Sequence, residues 1–245
     1  KHAPDLMKSK DKWFRGVELG YGPDGGVYVL DWSDIGECHE NDGIHRTSGR
    51  VFKITHGKAK PVTGDLTKLS SLELAKLQTH ANDWHVRQAR RLLQERAVTS
   101  RADIAQAQKV LRDIYSKSSS IPHRLRAMWA LQVTASLDED WLLTQTHDKN
   151  EHIRLWAIKL LNDSGTPSPT TLKRFVHMAK TDTAGLVQLH LASTLQLLPH
   201  TKRWELTTAL VSHGKFAKDP VFPLMVWYGI NPAIPKNRDE TVKLV

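Results

Sequence analysis

Within residues 14–56, three short apolar-rich runs, separated by a glycine-rich turn and a polar loop at 33–48, read as β-structure. Val17-Glu18-Leu19 is a short alternating run. Val27-Tyr28-Val29-Leu30-Asp31-Trp32 is β-branched and aromatic, and in Val51-Phe52-Lys53-Ile54 the apolar Phe52 and Ile54 share a face opposite Lys53. These compositions favour strands. Gly22, Pro23, Asp24, Gly25 and Gly26 between the first two runs are strong turn chemistry. Three short strands within about 40 residues, closed by tight turns, match the pattern of a propeller blade. Three strands alone bury little and leave edges open, so the unit is expected to need neighbours.

After a linker at residues 58–65 the period changes to that of a helix, with Leu66, Leu69, Leu72, Leu74 and Leu77. Ser70 or Ser71 is the expected N-cap. A loose repeat follows. Asn82-Asp83-Trp84-His85-Val86-Arg87 leads into Ala89 and Leu92-Leu93, and Asn150-Glu151-His152-Ile153-Arg154 leads into Ala157 and Leu160-Leu161. Further copies run from Pro122 to Leu131, from Leu186 to Leu195 and from Asp219 to Tyr228. Arg87, Arg126, Arg154 and Gln188 are read as corresponding positions. Such a period predicts stacked helix pairs, an α-solenoid of HEAT type. The recurring Ala admits close helix approach, and the following Leu residues fill the shared core. Asp83, Asp148 and Asp163 are placed at helix starts or turns, facing free N–H groups, and residues 116–120 are read as a loop. The fold class predicted is mostly α: a HEAT-like solenoid at 66–245, preceded by a small antiparallel β unit at 1–57.

The composition changes this picture little. Of 245 residues, 40% are hydrophobic and 25% charged, which suits a folded domain with a real core. The single cysteine, Cys38, excludes an internal disulfide and a CxxCH haem-attachment motif. No run of about 18 apolar residues is present to span a membrane. The sequence opens on Lys1 with no leader before it, and is expected to be a piece of a longer protein.

The net charge of +9 is unevenly spread. Residues 1–60 are nearly neutral, whereas 87–126 carry ten Lys/Arg against three acids. Arg87, Arg90, Arg91, Arg124 and Arg126 are the candidate basic surface. An acidic partner, anionic lipid or nucleic-acid backbone would suit it, and so would plain solvation of a helix face.

The densest polar chemistry follows the second strand. Asp31, Asp34, Glu37, Cys38, His39, Glu40, Asp42 and His45 fall within fifteen residues. Carboxylates and imidazoles this close suit a divalent cation, with Asp31, Asp34, His39 and His45 as candidate ligands. The spacing fits neither an EF-hand nor a zinc finger. Asx-type capping by Asp31 and Asp34, and pairing of the acids with Arg46 and Arg50, are the structural alternative. The thirteen His form no HExxH motif, and nucleotide-binding glycine motifs and a G-x-S-x-G elbow are absent. Trp84, Trp129, Trp156 and Trp227 sit at repeat positions and are read as packing.

Two segments together carry a family resemblance. The stretch from Gly22 through Asp34, then Gly36-Glu37-Cys38-His39 and Gly49-Arg50-Val51-Phe52-Lys53-Ile54, resembles the closing blade of the large putative membrane-bound dehydrogenases of planctomycete and verrucomicrobial type, also described as PVC-type haem-binding proteins. The helical copies from Asn82 to Tyr228 are similar to the region after the propeller in that family. The resemblance implies a parent protein of the cell envelope or periplasm, with a propeller related to glucose/sorbosone quinoprotein dehydrogenases. This chain would be its non-catalytic C-terminal scaffold region. Quinone or haem c would sit only in other parts of the parent, and no catalytic or cofactor residue is carried over. The expected partners are the remaining blades and domains of that parent and a protein partner. A basic HEAT-type module binding nucleic acid is the alternative.

Overall fold

The computed structural model describes residues 3–33, 48–58, 64–99, 101–163, 165–212 and 214–244. The chain divides into two compact units, Lys1–Ala107 and Gln108–Val245. The expected linker at 58–65 thus falls inside the first unit.

The first unit opens with three strands, β1 (Gly16–Tyr21), β2 (Val27–Asp31) and β3 (Arg50–Ile54). They form an antiparallel sheet in the order β1-β2-β3. Leu19 faces Val29, which faces Phe52, and a bulge between Gly16 and Glu18 shifts the β1 register. The β1–β2 turn closes on itself: Gly22 N–H donates to the Gly26 carbonyl (2.9 Å) and Gly26 N–H to the Asp24 carboxylate (3.1 Å). Gly25 sits at φ +79°, a conformation that costs glycine nothing.

Helix α1 (Ser71–Lys76) begins with a capping box: Glu73 N–H donates to the Ser70 hydroxyl, and Ser70 N–H to the Glu73 carboxylate (2.7 Å). Helix α2 (Asp83–Thr99) buries Val86, Ala89, Leu92 and Leu93, a 3.6-residue stripe. Helix α3 (Arg101–Lys117) carries the division between the units. It runs through Ser116 and Lys117, so the loop expected at 116–120 begins only at Ser118.

The second unit continues with α4 (Ile121–Val133), α5 (Glu139–Gln145), α6 (Glu151–Asp163), α7 (Pro169–Thr181), α8 (Gly185–Thr194), α9 (Trp204–Val211), α10 (Phe222–Ile230) and α11 (Arg238–Leu244). Side-chain caps start several of them: Ser120, Asp138 and Ser168 accept the N–H of His123, Trp141 and Thr171. The helices pack in two sets. α4 touches α6, α6 touches α8, and α8 touches α10. In the other set Tyr115 of α3 meets Trp141 of α5 ring to ring at 4.9 Å, and α7 packs on α9. One cluster unites them, including Met128, Ile158, Phe175, Leu191 and Leu210.

The helix starts correct the register of the repeat. α4 begins at Ile121 and α6 at Glu151, so Arg124, not Arg126, corresponds to Arg154 and Gln188. In this register Ala127 matches Ala157 and Leu131 matches Leu161, all buried. Asp163 ends α6 rather than starting a helix. Among the described residues no helix is long and apolar enough to cross a membrane.

Candidate functional site

Asp31 is the described member of the candidate cation cluster; Asp34, Cys38, His39 and His45 lie outside the described residues. It ends β2, where the strand turns inward and leaves its side chain buried. One carboxylate oxygen accepts the N–H groups of Arg15 (2.7 Å) and Ser33 (3.0 Å). The other accepts Arg50 Nε at 2.7 Å. Both oxygens are thus engaged by this chain's own donors. Burial pushes the carboxyl pKa up, but the Arg15 and Ser33 amides and the Arg50 guanidinium outweigh it and hold it below the usual range. Arg50 also reaches Asp11 at 2.6 Å and lies over the Phe52 ring. The bond from Ser33 N–H is the Asx cap, and with Arg50 it ties the ends of β2 and β3. Among the described residues no group of three or more His, Cys, Asp or Glu is gathered as for a metal ion.

The arginines fall in two places. In the first unit Arg87 and Arg91 are exposed on α2 and Arg90 is half-buried. Arg87 pairs with Asp83 at 2.7 Å and lies 5.9 Å over the Tyr21 ring, and Arg91 sits 3.7 Å from Glu95. The start of α2 holds the β1–β2 turn. Asn82 Nδ2 donates to the Gly22 carbonyl (2.9 Å), Tyr21 Oη to Asp83 (3.0 Å), and His85 Nε2 lies 3.1 Å from the Pro23 carbonyl. His85 also packs against His80, ring centroids 4.5 Å apart. Sequence spacing does not reveal this pair, because five residues apart is not a helical neighbour and His80 precedes the helix.

In the second unit Arg124 and Arg126 are half-buried. Arg124 belongs to a ladder that the repeat only hints at. It donates to Asp148 (2.5 Å) and to the Tyr115 carbonyl (3.2 Å). Arg154, one copy later, makes two bonds to Asp182 (2.7 and 2.9 Å) and one to the Asp148 carbonyl. Gln188 takes the same position in the next copy and donates to the Asp182 carbonyl (2.8 Å). The two arginine rungs join a helix to the turn of the next copy with charge-assisted bonds, whereas Gln188 bonds the turn before its own helix. Burial raises the Asp148 pKa, but Arg124 and the Asn150 amide overcome it and the net shift is downward. Arg203, which no sequence motif flags, is buried and donates to the carbonyls of Leu198 (2.8 Å) and Gly229 (2.5 Å). It closes the end of the row where two chain segments expose their last carbonyls.

The sheet offers a different kind of surface. Leu19, Tyr21, Val27 and Phe52 are exposed on one face, and Leu30 and Val51 on the other. Trp32, two residues beyond Leu30, is also exposed. A cavity of about 760 Å³ on the first face is lined by Leu6, Phe14, Leu19, Val27, Val29 and Ile54. What these residues present is contact surface for an apolar neighbour. No protein-family model matches this chain, no curated protein matches it, and no solved structure does.

Proposed function

We propose that this chain is the non-catalytic, HEAT-like scaffold region of a cell-envelope quinoprotein-dehydrogenase-like protein acting on sugars or alcohols, with the end of its propeller attached. The observation that carries the reading is that both faces of the sheet expose apolar side chains, Leu19, Tyr21, Val27 and Phe52 on one, and Leu30 and Val51, beside Glu18 and Lys53, on the other. A sheet that merely covers a helical domain needs one apolar face and keeps the other wet. A propeller blade is packed between two neighbours, so both of its faces must be apolar. Each large apolar side chain buried there adds about 1.5–3 kcal/mol. The α4–α6–α8–α10 row, in which each helix touches the next, and the α7–α9 pair support a solenoid.

The test is to read the coding frame on both sides of residues 1–245 and express the whole product. The expected frame encodes further three- or four-strand patterns of the same kind before Lys1. Leu19→Asp and Val51→Asp, one per face, should then each cut the yield of folded parent by about tenfold, because a charge lands in a dry interface. A frame without such patterns, or a parent indifferent to both changes, overturns the reading.

A further inference from the structure

The outward side of the α4–α6–α8–α10 set has a composition that the scaffold reading leaves unused. On α6 the core takes Ile153, Leu155, Ala157, Ile158, Leu160 and Leu161, which leaves His152 and Lys159 exposed and Trp156 half-buried at the edge of the core. On the matching stripe of α4 the half-buried Trp129 meets the Trp156 ring edge-on at 4.8 Å. Lys159 Nζ stands 4.4 Å over the Trp156 ring. On α8 and α10 the same side shows Leu186, Leu224 and Tyr228, all exposed. α4, α8 and α10 contain no Asp or Glu, and those of α6 are its first and last residues. The surface therefore carries the Lys159 ammonium and two half-buried tryptophans at one end and exposed apolar side chains at the other.

We propose that this strip docks an extended acidic segment of a protein partner, its carboxylates over His152 and Lys159 and its apolar side chains over Leu186, Leu224 and Tyr228. Helices packed about 9 Å apart make the four-helix strip about 27 Å long, which about eight residues of extended chain would cover. The charge argues for a peptide rather than a nucleic acid. A backbone of phosphates asks for several cations along its whole length, and α8 and α10 hold no Lys or Arg. An acidic peptide with an apolar end matches both halves. The proposal rests on the scaffold part of the function above and is independent of its dehydrogenase part.

The experiment is fluorescence anisotropy of the whole chain with a fluorescein-labelled random copolymer of glutamate and tyrosine, beside oligothymidylate of similar charge. Intrinsic Trp emission serves as a second signal. The copolymer should bind, and the His152→Glu/Lys159→Glu double variant should lose about tenfold in affinity, since Lys159→Glu reverses an attraction and His152→Glu adds a repelling charge beside it. Both sites are exposed, so circular dichroism should show an unchanged melt. Lys173→Glu, an exposed cation on α7, should change binding less than about twofold. Absence of copolymer binding, an equal loss in Lys173→Glu, or oligothymidylate binding as tightly as the copolymer each overturns the proposal. None of these outcomes bears on the sheet, whose own test is the reading frame and the Leu19 and Val51 variants.

Discussion

Phe175 in the helical unit is wholly buried, whereas Leu19 and Val51 on the sheet are 71% and 65% exposed. The two regions hold similar side chains in opposite situations. In the helical unit each apolar stripe finds a neighbour within the chain, because helix follows helix and the packing of α6 on α8 repeats as α8 on α10. In the sheet only Val29 of the apolar strand residues is buried, and the stabilising contacts are polar: Asp31 with Arg50, and Asp24 with Lys53. A buried stripe fixes its own region. An exposed two-faced sheet fixes only its register and leaves its burial to whatever packs on it.

The largest expected break in this contrast is Phe175→Ala. It empties a fully buried site between α7 and its neighbours and should cost about 3–5 kcal/mol, read by chemical denaturation. Asp182→Ala comes next. It removes the acceptor of two Arg154 bonds and leaves a half-buried guanidinium short of partners, a loss of about 2–3 kcal/mol.

The third prediction concerns pH. The folded-state pKa of Asp148 is depressed, so its contribution is fully present above the ordinary aspartate value of about 4 and is lost as pH falls through the folded value. Stability should therefore decline below about pH 5. Asp148→Asn should be less stable at neutral pH and show a shallower acid decline in urea titrations run from neutral to acid pH. The smallest effect is expected at the sheet. Val51→Thr in this chain should shift stability by less than about 0.5 kcal/mol, because no packed neighbour is lost. A shift above about 2 kcal/mol would mean that Val51 is covered by its own chain, and the contrast would fail.

Much of this is legible in the residues. Alternation marks the first and third strands and β-branched, aromatic composition the second, and Ser70 caps α1 as its position before a helical run requires. The Ala and Leu of each copy mark the buried faces. Matching the copies by sequence sets the register two residues off at α4, because Arg124 and Arg126 both align with Arg154. Only the start of α4 at Ile121, set by the Ser120 cap with Pro122 in the first turn, decides between them. Trp227 occupies a packing position in the repeat but stays half exposed, since α10 lies at the end of its set. At Asp31 the residue types fit both a cation ligand and a loop cap. The Arg50 partner is among the alternatives the residues offer, whereas the Arg15 amide is brought to Asp31 by the pairing of β1 with β2.

By itself the sequence determined the class of each element, its period, its caps and its apolar faces, because these depend on neighbours within a few residues. The tertiary structure decided which charges are matched to partners and which apolar faces remain open. Arg124 and Arg154 became rungs, Arg203 a clamp on buried carbonyls, and Lys159 an exposed cation, with His152 nearby on the same helix, beside two tryptophans. Those outcomes depend on groups tens of residues apart, and an electrostatic or packing partner acts through distance in space rather than distance along the chain.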